Sequence, residues 1–149
     1  MAIAKLGAAE PAELEKLAAE YNVSQVDLCG GNAMDAGAFS EEWEQGWNSH
    51  NLGLILGHYR DDIVFHSKKA IPLLGSGEIV GKEALGKYWS AALDQQPDLH
   101  FRVQDVFEGY RMLVISYRNH RGILAAETLY FDDAGLVFQA AACHRSSEG

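Results

Sequence analysis

From Leu99 onward the chain alternates apolar and polar residues, with Leu99, Phe101 and Val103 set against His100, Arg102 and Gln104. The same period of two returns at Leu113, Ile115 and Tyr117, at Ala125, Glu127, Leu129 and Phe131, and at Ala140, Ala142 and His144. Side chains spaced by two lie on one face of a strand, so this stretch predicts four half-buried strands. EGY around Gly109, NHRG around Gly122 and DDAG ending at Gly135 are hairpin-grade connections, which makes the four an antiparallel meander. One face of such a sheet needs a cover, and the residues before it supply helices.

Phe39, Trp43 and Trp47 recur at every fourth position, with Ser40 placed as an N-cap and Glu41 and Glu42 in the first turn. WNSHN ends that helix, and a second short helix presents Leu52, Ile55, Leu56 and Tyr59 on one face. IVFHS, from Ile63, reads as a first strand. SKKAIPLLGSGEIV reads as a loop at a pocket rim, with a short strand over Glu78–Val80. GKEALGKYWSAAL opens a third helix with Leu85, Tyr88, Trp89 and Ala92 inward, ending before Gln96 and Pro97. Upstream, Pro11 to Tyr21 has helical spacing, and the glycine-rich Asp27 to Ala38 reads as a connecting loop. The division is therefore residues 1–38, an N-terminal helix and loop, and residues 39–149, the main body, within one compact domain of α+β class.

The 149 residues are 48% hydrophobic, enough for a single core. A formal net charge of −9 opposes phosphate backbones and anionic headgroups, which argues against nucleic acid and membrane partners. No apolar run reaches the roughly 20 residues a membrane span needs, and the N-terminus lacks a signal-peptide pattern, so a cytoplasmic location is expected. Cys29 and Cys143 stand far apart without CxxC companions and read as reduced thiols. His50, His100 and His120 fit turns or an outer face, and their spacing matches no metal-ligand pattern, so no metal and no cofactor are expected.

The order of two helices, DDIVFHS, a loop, GKEALGKYW and four strands with FDDAGLV near the end resembles the nuclear transport factor 2-like superfamily, with its SnoaL-like domains, over Phe39 to His144. The resemblance implies a cone-shaped α+β barrel, a curved and mostly antiparallel sheet wrapped around about three helices and enclosing an apolar pocket. It also implies a homodimer paired through the sheets, so the strand face of His100, Arg102 and Gln104 is either solvated or the dimer surface. Aligned with ketosteroid isomerase, Glu127 takes the place of the oxyanion-hole acid, a carboxylic acid kept neutral by apolar surroundings. Trp43 falls where that enzyme has its hydrogen-bonding tyrosine and Ser67 where it has its general-base aspartate, and both departures argue against steroid isomerisation. SnoaL-type cyclases carry an acid on the last strand, where this chain has Gln139 and alanines, so cyclase chemistry is not carried over.

Glu127 interrupts an apolar row, so its carboxyl must either pair with a cation or keep its proton and donate a hydrogen bond. His66, at the end of the first strand, and His144, in a row of small alanines, are the candidates to move a proton. The alternatives are a structural hydrogen bond for Glu127, a strand-end histidine at His66 and an exposed one at His144. Pocket walls are expected from Trp43, Trp47, Tyr59, Ser67, Tyr88, Phe101, Leu113, Ile115, Tyr117 and Leu129, although tryptophans and tyrosines at such spacing also serve as plain core. Three functions compete: a cofactor-independent lyase, isomerase or hydrolase acting by acid-base chemistry on a small apolar oxygenated molecule; a non-catalytic binding module; and a dimeric interaction protein with a filled cavity.

Overall fold

The computed structural model of the protein describes residues 35–146. The helix expected over Pro11–Tyr21, most of the connecting loop and Cys29 lie outside the described residues. Helix α1 spans Ala36–Ser49 and starts earlier than Ser40 suggested. Asp35 is its cap, its carboxylate accepting the Ala38 N–H at 3.1 Å. Ser40 lies inside the helix and donates its hydroxyl back to Gly37 O at 2.9 Å. Both residue types cap well, and the helical Ala36 and Gly37 extend the pattern by one turn. His50 closes α1 in the left-handed conformation, φ 60°.

A short α2, Leu52–Leu56, follows, and Tyr59 belongs to strand β1, Tyr59–Ser67, rather than to the helix. The i, i+4 spacing with Ile55 was a coincidence of sequence, because Tyr59 is fixed by pairing with the distant Val137. A 3₁₀ turn over Lys68–Ala70 and a one-turn α3, Ile71–Leu74, lead to β2, Glu78–Val80, and α4, Lys82–Gln95. Leu85, Gly86, Trp89 and Leu93 form the buried face of α4, while Tyr88 and Ala92 are only partly buried.

The four late strands are β3 (Arg102–Gly109), β4 (Met112–Arg118), β5 (Leu124–Phe131) and β6 (Val137–His144). They form the expected antiparallel meander, and β1 joins β6 in parallel to give one curved sheet of order β2-β1-β6-β5-β4-β3. Helix α1 packs on β3 and α4 on β1, completing an α+β cone.

Leu99 and Phe101 precede β3 instead of belonging to it. Their segment is held by side chains of α1 and the residue that caps it: the Asn48 amide donates to Phe101 O (2.8 Å) and accepts from Phe101 N (2.7 Å). His50 Nε2 lies 2.7 Å from Leu99 O, and the Glu44 carboxylate accepts from Val103 N at 2.6 Å. These bonds satisfy backbone groups that a neighbouring strand would otherwise meet. A bulge at Gln104, between the pairs Val103–Tyr117 and Asp105–Ser116, then shifts the alternation of β3 by one residue.

Registers across the sheet define rows on its inner face. Phe65, Ala140, Leu129 and Leu113 form one row; Ser67, Ala142, Glu127 and Ile115 the next; His144, Ala125, Tyr117 and Val103 the third. The first row is buried against Trp89 and the other aromatics. Trp89 meets Trp47, Tyr59 and Phe65 edge-on with centroids 4.9, 5.2 and 5.3 Å away. Each such pair contributes roughly 0.5–1.5 kcal/mol beyond its buried area.

Candidate functional site

The second and third rows open into a cavity of ≈ 100 Å³. Small residues make the room: Ala142 separates Ser67 from Glu127, and Ala125 separates His144 from Tyr117. Trp47, Trp89, Phe65 and Phe101 wall the space, and Tyr88 reaches in from α4.

Glu127 is 3% exposed and lies in this cavity's lining. Burial pushes its carboxyl up to about 8, and no neighbouring cation or hydrogen-bond donor among the described residues offsets that rise. At neutral pH the group is therefore chiefly a carboxylic acid, a hydrogen-bond donor facing the cavity. Tyr117 is pushed up well beyond its ordinary value by burial and then by Glu127, so it stays a neutral phenol. Tyr88 is raised by burial; the Ser67 hydroxyl beside it opposes that shift, and Glu127 adds to it.

His144 is half-buried, and burial followed by the charge of Lys69 lowers its imidazole from 6.5. It is thus neutral and basic at neutral pH, the state in which it accepts a proton. Its strand partner is Ala125 while that of Glu127 is Ala142, so His144 and Glu127 are diagonal neighbours on one face, at the roughly 7–8 Å of such positions. Side chains at that spacing on one face can touch one small molecule from two sides.

Several expected positions lie elsewhere. His66 is exposed on the outer face, its Nε2 2.9 Å from the Glu78 carboxylate, because Phe65 and Ser67 take the inward positions of β1. Trp43, Tyr59, Leu113, Ile115 and Leu129 do not line the cavity; they pack the closed part of the cone. Trp43 stacks on Phe101 with centroids 5.6 Å apart and meets Tyr117 edge-on at 5.0 Å. Inward parity marks all these residues alike, and only the distance along the cone separates those that fill it from those that line it. Of the expected set, Trp47, Ser67, Tyr88, Phe101, Tyr117, Glu127 and His144 come together around the cavity.

Four polar residues the sequence did not place in the pocket also line it: Lys69, Gln96, Asn119 and His120. His120, read as an outer turn histidine, has its side chain 9% exposed with Nε2 3.5 Å from Asp98 Oδ1. Neither of its ring nitrogens makes a hydrogen bond to a described residue, and the same is true of the Trp47 indole N–H. Buried polar atoms left in this state beside a cavity are available to a ligand. No local signal marked His120, since its approach depends on the curvature that carries the β4–β5 turn over the mouth. Among the described residues no group of three His, Cys, Asp or Glu side chains is arranged to hold a metal ion, and no helix is long and apolar enough to cross a membrane.

Comparison with curated proteins finds no sequence match. Among solved structures, a SnoaL-like protein of unknown function from Burkholderia thailandensis E264 is 38% identical, with a TM-score of 0.72 over 74% of this chain and 94% of the other. An NTF2-like protein of unknown function from Cytophaga hutchinsonii ATCC 33406 is 13% identical, TM-score 0.59, over 74% and 90%. A protein provisionally named a ketosteroid isomerase, from Kribbella flavida DSM 17836, is 14% identical, TM-score 0.60, over 75% and 78%, a likeness of fold alone. The family model of the SnoaL-like domain matches residues 40–149. With that match over most of its length and the cone already evident, the chain belongs to the SnoaL-like family of the nuclear transport factor 2-like superfamily.

Proposed function

We propose that the protein is a cofactor-independent acid-base enzyme of the isomerase, lyase or hydrolase kind, acting on a small apolar molecule that carries a carbonyl or hydroxyl oxygen. The observation that carries this reading is Glu127, a buried carboxylic acid without a partner among the described residues, facing a cavity that it shares with a neutral histidine. An acid kept in apolar surroundings without an ion pair costs stability, and that cost is expected where the group is used. In the proposed step the Glu127 carboxyl donates a hydrogen bond to the substrate oxygen, and His144 takes a proton from the carbon beside the carbonyl. The enolate formed is held by Glu127, and His144 returns the proton to the same or a conjugated carbon, so both residues end as they began. Tyr117 and Tyr88 present neutral hydroxyls that orient the same oxygen.

The test is hydrogen-deuterium exchange at the α-carbon of cyclohexanone in D₂O, followed by proton NMR. The wild type accelerates exchange over protein-free buffer, Glu127→Leu and His144→Ala abolish the acceleration, and His66→Ala keeps it. A wild type that fails to accelerate exchange while still binding the ketone would turn the reading to the non-catalytic binding module. The sheet-to-sheet homodimer is part of the same proposal. Phe107, Tyr130 and Phe138 are exposed on the strands, and sedimentation that finds only monomer removes this part.

A further inference from the structure

Among the described residues lining the cavity, Lys69 is the only lysine or arginine and Glu127 the only acid. Lys69 sits in the 3₁₀ turn directly after Ser67, and it forms no ion pair with a described acid. That is notable in a chain with 21 acidic against 12 basic side chains. Asp98 is not in the lining and lies 3.5 Å from the imidazole of His120. Lys69 is exposed, His144 half-buried and Glu127 3% exposed, so the three groups run in that order from rim to floor. Glu127 holds its proton at neutral pH and contributes no opposing charge.

We propose that the ligand of this cavity is a small aromatic anion of the carboxylate type, its negative group held by Lys69 at the rim and its ring against Trp89 and Phe101. A lysine ammonium gives a carboxylate a charge-assisted hydrogen bond, and a local cation in a surface of net charge −9 selects for an anion where the rest of the molecule repels it. The aromatic walls select a flat apolar body, and the order of groups places the far end of that body at Glu127. The inference rests on reading the cavity as a ligand site and adds the ligand's charge and shape.

Benzoate and benzamide, equal in shape and different in charge, separate the two ideas when titrated into the wild type and Lys69→Gln at low salt, with binding read from tryptophan fluorescence. The expected result is benzoate binding about fivefold tighter than benzamide to the wild type, the preference of a partly exposed ion pair. Lys69→Gln removes the preference, so that benzoate and benzamide bind it equally. Equal affinities in the wild type, or a preference that survives in Lys69→Gln, overturn the assignment of the anion while the cavity stands as a ligand site. Failure of both probes to bind overturns the assignment and the ligand-site reading together.

Discussion

Two adjacent rows of the same sheet face have opposite characters. Ala140, Leu129 and Leu113 are closed over by helix side chains, Phe65 at the end of their row reaches the cavity wall, and all four are 0–2% exposed. One step toward the mouth, Ser67, Ala142, Glu127 and Ile115 occupy equivalent positions on the same four strands, yet two of them are polar and one is a small residue bordering empty space. Strand and parity are shared, so the difference lies in what the tertiary structure places opposite each row. The closed row stabilises the cone by filling it, whereas the open row gives up packing and keeps an acid from its water. That contrast distinguishes stability from function in this fold.

Leu129→Ala tests the closed row most severely. Removing a fully buried side chain from the closed row should cost about 2–5 kcal/mol in urea unfolding, because the lining collapses only in part. A loss no larger than that from a surface substitution would mean the closed row is not the core.

Glu127→Gln should act in the opposite direction at neutral pH. The folded acid has its proton affinity raised to about 8 from 4.5, so folding favours the protonated form. Below the unfolded value both states are protonated and the stability is fully present; it is lost as pH rises from there toward 8, by about 1.4 kcal/mol per pH unit. The amide does not ionise, so Glu127→Gln should be more stable than the wild type above about pH 5, with the gap widening toward pH 8. Parallel stability curves from pH 4 to pH 8 would show that Glu127 is paired after all.

Ala142→Leu probes the open row by filling it. Stability should change by less than about 1.5 kcal/mol, since the added methylenes enter existing space, while benzamide binding is lost. Retained binding would place the ligand elsewhere.

His66→Ala should do least. The pair with Glu78 is exposed, so its removal should cost under about 1 kcal/mol and leave probe binding unchanged.

Much of this was legible in the sequence, for a reason that can be stated residue by residue. Alternation in Leu113 to His144 is imposed by the pleat itself, so the meander, its turns and the inward facing of Glu127, Tyr117 and His144 follow from local chemistry. His66 misled because a strand-end histidine has the same local signature on either face, and its neighbours Phe65 and Ser67 decide the parity. Leu99 and Phe101 misled because their alternation is satisfied by Asn48 and His50, about 50 residues away, rather than by a strand.

The class of fold, the strand faces and the presence of one acid on an apolar row follow from the residues in order, because period and polarity are properties of near neighbours. Three facts come from folding: which inward residues fill the cone and which line a cavity, that Glu127 stands without a partner among the described residues, and that Lys69 and His120 join it. Those facts depend on sheet curvature and on contacts between residues far apart in the chain, where no local pattern records the outcome.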